Sequence, residues 1–204
     1  MAAVLPVAGF CLFAVLYFVA AADYPGGSEV NRKAESFSWR HNYWCDLLEY
    51  TAENGQPNTA RPIAIAAMIV LSLAIAAFWY LIPRLFVTKE WIRRTIQFSG
   101  VLSMLVLAFL RDESHDPVIN TSVAFGTLAI ILCLYALFVS GRYGLFIMGI
   151  TCLLLCFANT YIYYTKTWIN TLPVVQKLSF SIFLIWFSLL LLRLRRGKIA
   201  ILRA

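Results

Sequence analysis

Six long apolar runs, with nearly all of the chain's charge confined to the gaps between them, govern what this sequence can fold into. The runs cover residues 4–22, 62–82, 95–110, 118–140, 143–164 and 177–192, and none has a charge well inside it. About 20 mostly apolar residues in a helix cross a bilayer core of about 30 Å. The runs therefore predict an all-α, polytopic membrane protein, a six-transmembrane-helix bundle forming a single integral membrane domain over 1–204. The third and sixth runs are the short ones, and flanking residues such as Ile92 and Leu194 extend them. A composition of 61% hydrophobic and 13% charged residues, against about half and a quarter in soluble domains, agrees. It excludes disordered, collagen-like and disulfide-dense secreted classes.

The first run also looks like the core of a secretory signal, because its apolar stretch Leu12–Val19 is followed by Ala20-Ala21-Ala22 and Asp23. It has no basic residue before it, so an uncleaved first span is the expectation. Charge then sets the orientation. With a cytoplasmic N-terminus, the inside segments hold ten basic residues and one acid, a net of +9. The outside segments hold seven basic and nine acidic residues, a net of −2. Basic residues favour the cytoplasmic side, so both termini are expected in the cytoplasm, in a membrane of the bacterial inner-membrane type. The basic segments 83–94 and 193–204, the former with Trp91, read as surface anchors attracted to anionic lipid, and no nucleic-acid partner is expected.

The long outer segment, 23–61, is too structured in composition for a linker. Tyr24-Pro25-Gly26-Gly27-Ser28 is a turn sequence. After it Trp39, Tyr43, Trp44, Leu47, Leu48 and Tyr50 recur at spacings of three and four, which predicts an amphipathic outer-loop helix between spans one and two. Asn54-Gly55-Gln56-Pro57-Asn58 turns the chain back toward the second span. Gly141-Arg142 is so short a connection that spans four and five must form a tight hairpin.

No ionisable residue lies mid-span, which argues against proton pumps, ion-coupled transporters and voltage sensors. Ser72, Ser99, Ser103, Thr127, Thr151, Asn159 and Ser188 read as hydrogen-bonding residues within and between helices. The suggestive polar residues fall on the predicted outer face. His115 and Asp116, with Asp46, are the candidates for acid–base catalysis. Asn42, Trp44, Asp46, His115 and Asn120 are the candidates for ligand binding. His41 and His115 are the chain's two histidines, and with neighbouring carboxylates they are the candidates for a divalent metal site; a haem held by the two histidines would lack an attachment motif. No HExxH, zinc-spaced cysteine pair or GxSxG is present, so no cofactor is expected and the catalytic residues are unknown. The five cysteines, Cys11, Cys45, Cys133, Cys152 and Cys156, read as small apolar residues rather than disulfides.

The Tyr24-Pro25-Gly26-Gly27 turn, the Asn42…Cys45-Asp46-Leu47-Leu48 stretch and His115-Asp116 entering the fourth span resemble bacterial six-helix membrane proteins of a domain-of-unknown-function family. That family is similar in layout to the DRAM-like and Sfk-like membrane proteins. The resemblance implies a six-helix bundle, and Asn42, Asp46, His115 and Asp116 as residues to test; Cys45 departs from its pattern, which has a small residue such as Ser before the Asp. Three functions follow from these features. The favoured one is a non-enzymatic bundle that binds membrane lipid or a partner protein. The second is a membrane-embedded hydrolase or transferase acting on lipid headgroups through the His/Asp cluster. The third is an accessory subunit, assembled with other membrane proteins or with itself.

Overall fold

The computed structural model describes residues 3–107 and 115–202, with the side chains of 115–116 and 197–202 left aside. Among the described residues six α-helices follow one another: α1 (Val4–Ala22), α2 (Arg61–Leu81), α3 (Glu90–Leu107), α4 (His115–Val139), α5 (Tyr143–Thr165) and α6 (Leu172–Leu202). Among the described residues there is no strand, only an isolated bridge between Thr51 and Pro57. Among the described residues five stretches are long and apolar enough to cross a membrane: Val4–Ala22, Arg61–Leu85, Pro117–Val139, Tyr143–Thr165 and Ile169–Arg196. Large apolar side chains such as Phe18, Leu73, Ile147 and Leu154 stand exposed on them, which fits helices that face lipid.

α3 differs from the other five. Its first two turns carry Glu90, Arg93, Arg94 and Gln97, so its described part falls short of a spanning composition. The expected third run, 95–110, begins inside this helix and ends beyond the described residues.

The contacts divide the chain into two compact units. The first is Met1–Gly9, Ser72–Leu153 and Leu184–Ala204; the second is Phe10–Leu71 and Leu154–Phe183.

In the first unit the core is aromatic. Phe78 and Phe187 stack at 4.0 Å, and Trp79 meets Phe187 edge-on at 5.6 Å. Trp186 is fully buried, and its indole N–H donates to the Leu145 carbonyl at 2.9 Å, as a buried tryptophan requires. Gly100 and Gly149 make room for these indoles: a Cβ at Gly100 would run into the Trp79 ring, and one at Gly149 into Trp186 and Leu134. Small residues of this kind let apolar helices approach closely where burial from water cannot drive them together. Ser122 Oγ donates to the Ser103 carbonyl at 2.8 Å, which ties α4 to α3. The α4–α5 hairpin is as tight as expected. Gly141, at φ +66°, ends α4, with Gly141 N bonded to Phe138 O and Arg142 N to Leu137 O in a Schellman arrangement.

In the second unit α1 supplies Phe13 and Tyr17, both buried, to a cluster with Trp44 and Phe180. Asn159 Nδ2 donates to Ser179 Oγ at 2.7 Å and joins α5 to α6. In the first unit three of the mid-helix hydroxyls are satisfied as expected. Ser99, Thr151 and Ser188 bond the carbonyl four residues back. None of the five cysteines is joined in a disulfide.

Candidate functional site

The 23–60 segment of the second unit holds most of the chain's candidate residues, and it corrects one expectation. No amphipathic helix forms over 38–50; the only helical piece is a single 3-10 turn, Cys45–Leu47. The cause lies in two side chains. Asn42 Oδ1 accepts from Ser38 N at 2.8 Å, and Asp46 Oδ2 accepts from Tyr43 N at 2.9 Å. Asn and Asp compete for main-chain amides in this way and steer a segment from helix into turns. The aromatic residues diverge instead of forming a stripe. Trp44 packs inward on Phe13, Tyr17 and Phe180, while Trp39 lies over Phe18 and Phe37 and is 44% exposed.

Asn42 is the centre of the segment and is fully buried. Its Nδ2 donates to Gly27 O at 2.9 Å and to Asp46 Oδ2 at 2.7 Å. Its own carbonyl accepts from Lys177 Nζ at 2.5 Å, and that ammonium also donates to Pro173 O at 3.0 Å and lies 5.7 Å from the Phe37 ring centre. The Asn42 side chain thus joins the Gly26-Gly27 turn to the Asp46 turn, and its main-chain carbonyl ties both to the start of α6.

Around this centre the two ends of the segment are tied together. Tyr24 Oη accepts from Glu53 N at 3.0 Å, Asn54 Nδ2 donates to Pro25 O at 2.7 Å, and Thr59 Oγ1 donates to Asp23 O at 2.7 Å. Asn58 Nδ2 donates to Asp46 O and Glu49 O, and Asn58 Oδ1 accepts from Ala60 N. Arg61, at the start of α2, donates to Leu48 O at 2.9 Å and stacks 3.7 Å above the Tyr50 ring. These long-range ties close the segment on itself.

Burial dominates the electrostatics of Asp46. It pushes the carboxyl from its ordinary value of 3.8 up to about 6, against the opposing pull of the hydrogen bonds from Asn42 and Tyr43. Between those two values the folded chain keeps a proton that the unfolded chain has released. Stability contributed by this group is therefore present at low pH and is lost as pH rises from about 4 to 6. Full expression of the shift is worth about 3 kcal/mol. Unfolding midpoints in detergent across pH 4–7 should fall over that window, and Asp46→Asn should flatten this part of the profile. Tyr43 is likewise pushed up, to about 12, chiefly by burial and then by Glu29.

The candidate residues distribute as follows. Asn42, Trp44 and Asp46 come together here. His41 is half-buried beside them in sequence, with Nδ1 at 3.3 Å from Ser38 Oγ. Asn120 lies exposed on α4, among the residues of the first unit. His115 and Asp116 open α4, but their side chains lie outside the described residues, so the expected His/Asp cluster is described only at Asp46. Among the described residues no three His, Cys, Asp or Glu side chains are grouped to hold a metal. Lys177 and Asn58 were not among the expected site residues. The signal for Lys177 was present: a single cation at the boundary of an apolar run.

Among the described residues, four buried side-chain polar atoms of this unit have no hydrogen-bond partner, Tyr17 Oη, Trp44 Nε1, Asn159 Oδ1 and Gln176 Oε1, and the Tyr17 and Trp44 rings are 3.5 Å apart at the centroids. As a chemical unit, the segment offers a carboxyl whose donors are a side-chain amide and a main-chain amide, neither of them a nucleophile. Compared with protein-family models, with curated proteins and with solved structures, the chain matches none.

Proposed function

We propose that the chain is an integral membrane protein with both termini in the cytoplasm, whose 23–60 segment is a rigid outer cap that binds lipid or a partner protein without catalysis. The observation that carries this reading is the commitment of Asp46. Its carboxylate oxygen serves Asn42 and Tyr43 within the cap, where a general base would have to face a substrate proton. The exposed Trp39 ring, set against Phe18, and the exposed Tyr50 give the cap an aromatic outer surface of the kind that sits at a membrane–water boundary.

The test is native mass spectrometry of the protein released gently from its membrane. Wild type should carry a retained lipid or protein, and Trp39→Ala should lose it at unchanged yield. Turnover of a lipid headgroup that disappears in His115→Ala, with the variant accumulating normally, would overturn the reading in favour of an enzyme.

A further inference from the structure

The first unit contains a groove of about 250 Å³ lined by Tyr80, Pro83, Arg84, Glu90, Arg93, Arg94 and Gln97. Three guanidiniums here face one carboxylate. Glu90 takes Arg94 Nε at 2.9 Å and Arg93 at 3.3 Å. That leaves donors to spare: the Arg93 side chain is 38% exposed, and Arg84, which makes no ion pair among the described residues, lies 5.2 Å over the Tyr80 ring. Gln97 is held in place by its bond to the Tyr80 carbonyl at 3.1 Å. The N–H groups of these guanidiniums that Glu90 does not take are free to donate to an oxyanion in the groove.

We propose that this groove binds a phosphate group, supplied by the headgroup of an anionic phospholipid. Arginine forks match phosphate geometry, and the two charges in excess of Glu90 suit a phosphomonoester dianion better than a zwitterionic headgroup. The lipid source follows from the neighbourhood. Val87 and Trp91, in the same stretch of chain, are 98% and 59% exposed, as apolar and aromatic side chains are at a bilayer boundary. The inference rests on the membrane reading of the chain and not on the cap.

Native mass spectrometry of the whole protein in detergent, titrated with phosphatidic acid, phosphatidylcholine and inorganic phosphate, tests it. Phosphatidic acid should bind at least about tenfold more tightly than phosphatidylcholine. Arg84→Lys combined with Arg93→Lys keeps the charge and the topology but removes the forks, and should cost about tenfold. Glu90→Gln frees two guanidiniums and should tighten binding several-fold, a gain that a merely structural role for these residues would not produce. Inorganic phosphate that binds alone and displaces the lipid at millimolar levels would overturn the lipid source in favour of a soluble phosphate. Equal binding of both lipids, unchanged in the lysine double variant and in Glu90→Gln, would overturn the site itself. Loss of lipid in Trp39→Ala with the groove variants unchanged would separate a failure here from a failure of the cap reading.

Discussion

Gly27→Ala should cripple the protein, while Gly55→Ala, at nearly the same backbone angle, should be mild. Gly27 has φ +86° and Gly55 has φ +84°, a region where an L side chain costs on the order of 1–3 kcal/mol. What separates them is space. A Cβ at Gly27 would collide with the main chain of Glu53 and Asn54, whereas one at Gly55 meets nothing within 4 Å. Main chain cannot rotate away as a side-chain tip can, and Asn54 is itself held to Gly26 O and Pro25 O. Thermal unfolding in detergent should show a shift of about 1 kcal/mol for Gly55→Ala and several times that for Gly27→Ala. Equal shifts would mean that the Gly26-Gly27 turn does not lie against the 53–54 turn.

Asn42→Ala is the second large effect. It removes a fully buried side chain whose bonds satisfy Ser38 N, Gly27 O and Asp46 Oδ2. Each buried group left without a partner costs about 1–3 kcal/mol, so the loss should be on the order of 3–6 kcal/mol, a large part of a typical domain's stability. Asn42→Asp should rescue little, because it trades the donor to Asp46 for a second carboxylate. Asp46→Asn should be much milder than either, since its amide oxygen can still accept a hydrogen bond. Unfolding midpoints for the three variants at pH 7 check this order.

The helices were legible because their signal is local. The run at 4–22 coincides with α1, and that at 143–164 with α5 to within a residue, since an apolar run bounded by polar residues fixes both ends of a helix. α6 starts at Leu172, five residues before the run at 177–192, because Gln176 and Lys177 break the apolar pattern there; carbonyls of Asn42 and Pro173 receive the ammonium. The 38–50 segment also departs from its sequence pattern. Its aromatic spacing fits a helix, but the capture of main-chain amides by Asn42 and Asp46 carries no periodic signature. The pairing of Asn42 with Asp46, four residues apart, could be picked out from sequence. Its closure onto Gly27, fifteen residues away, and the ties made by Asn58 and Lys177 could not, because they depend on contacts that no local pattern encodes.

Amide hydrogen exchange across residues 23–60 of the wild-type protein in a bilayer nanodisc is the most direct test of the closed cap. The account predicts that the amides of Ser38, Tyr43 and Glu53, each bonded to a side-chain oxygen, exchange nearly as slowly as those of the helices, and that Asn42→Ala speeds Ser38 and Tyr43 together. Fast exchange at these three amides in the wild type, at the rate of an open loop, would contradict it.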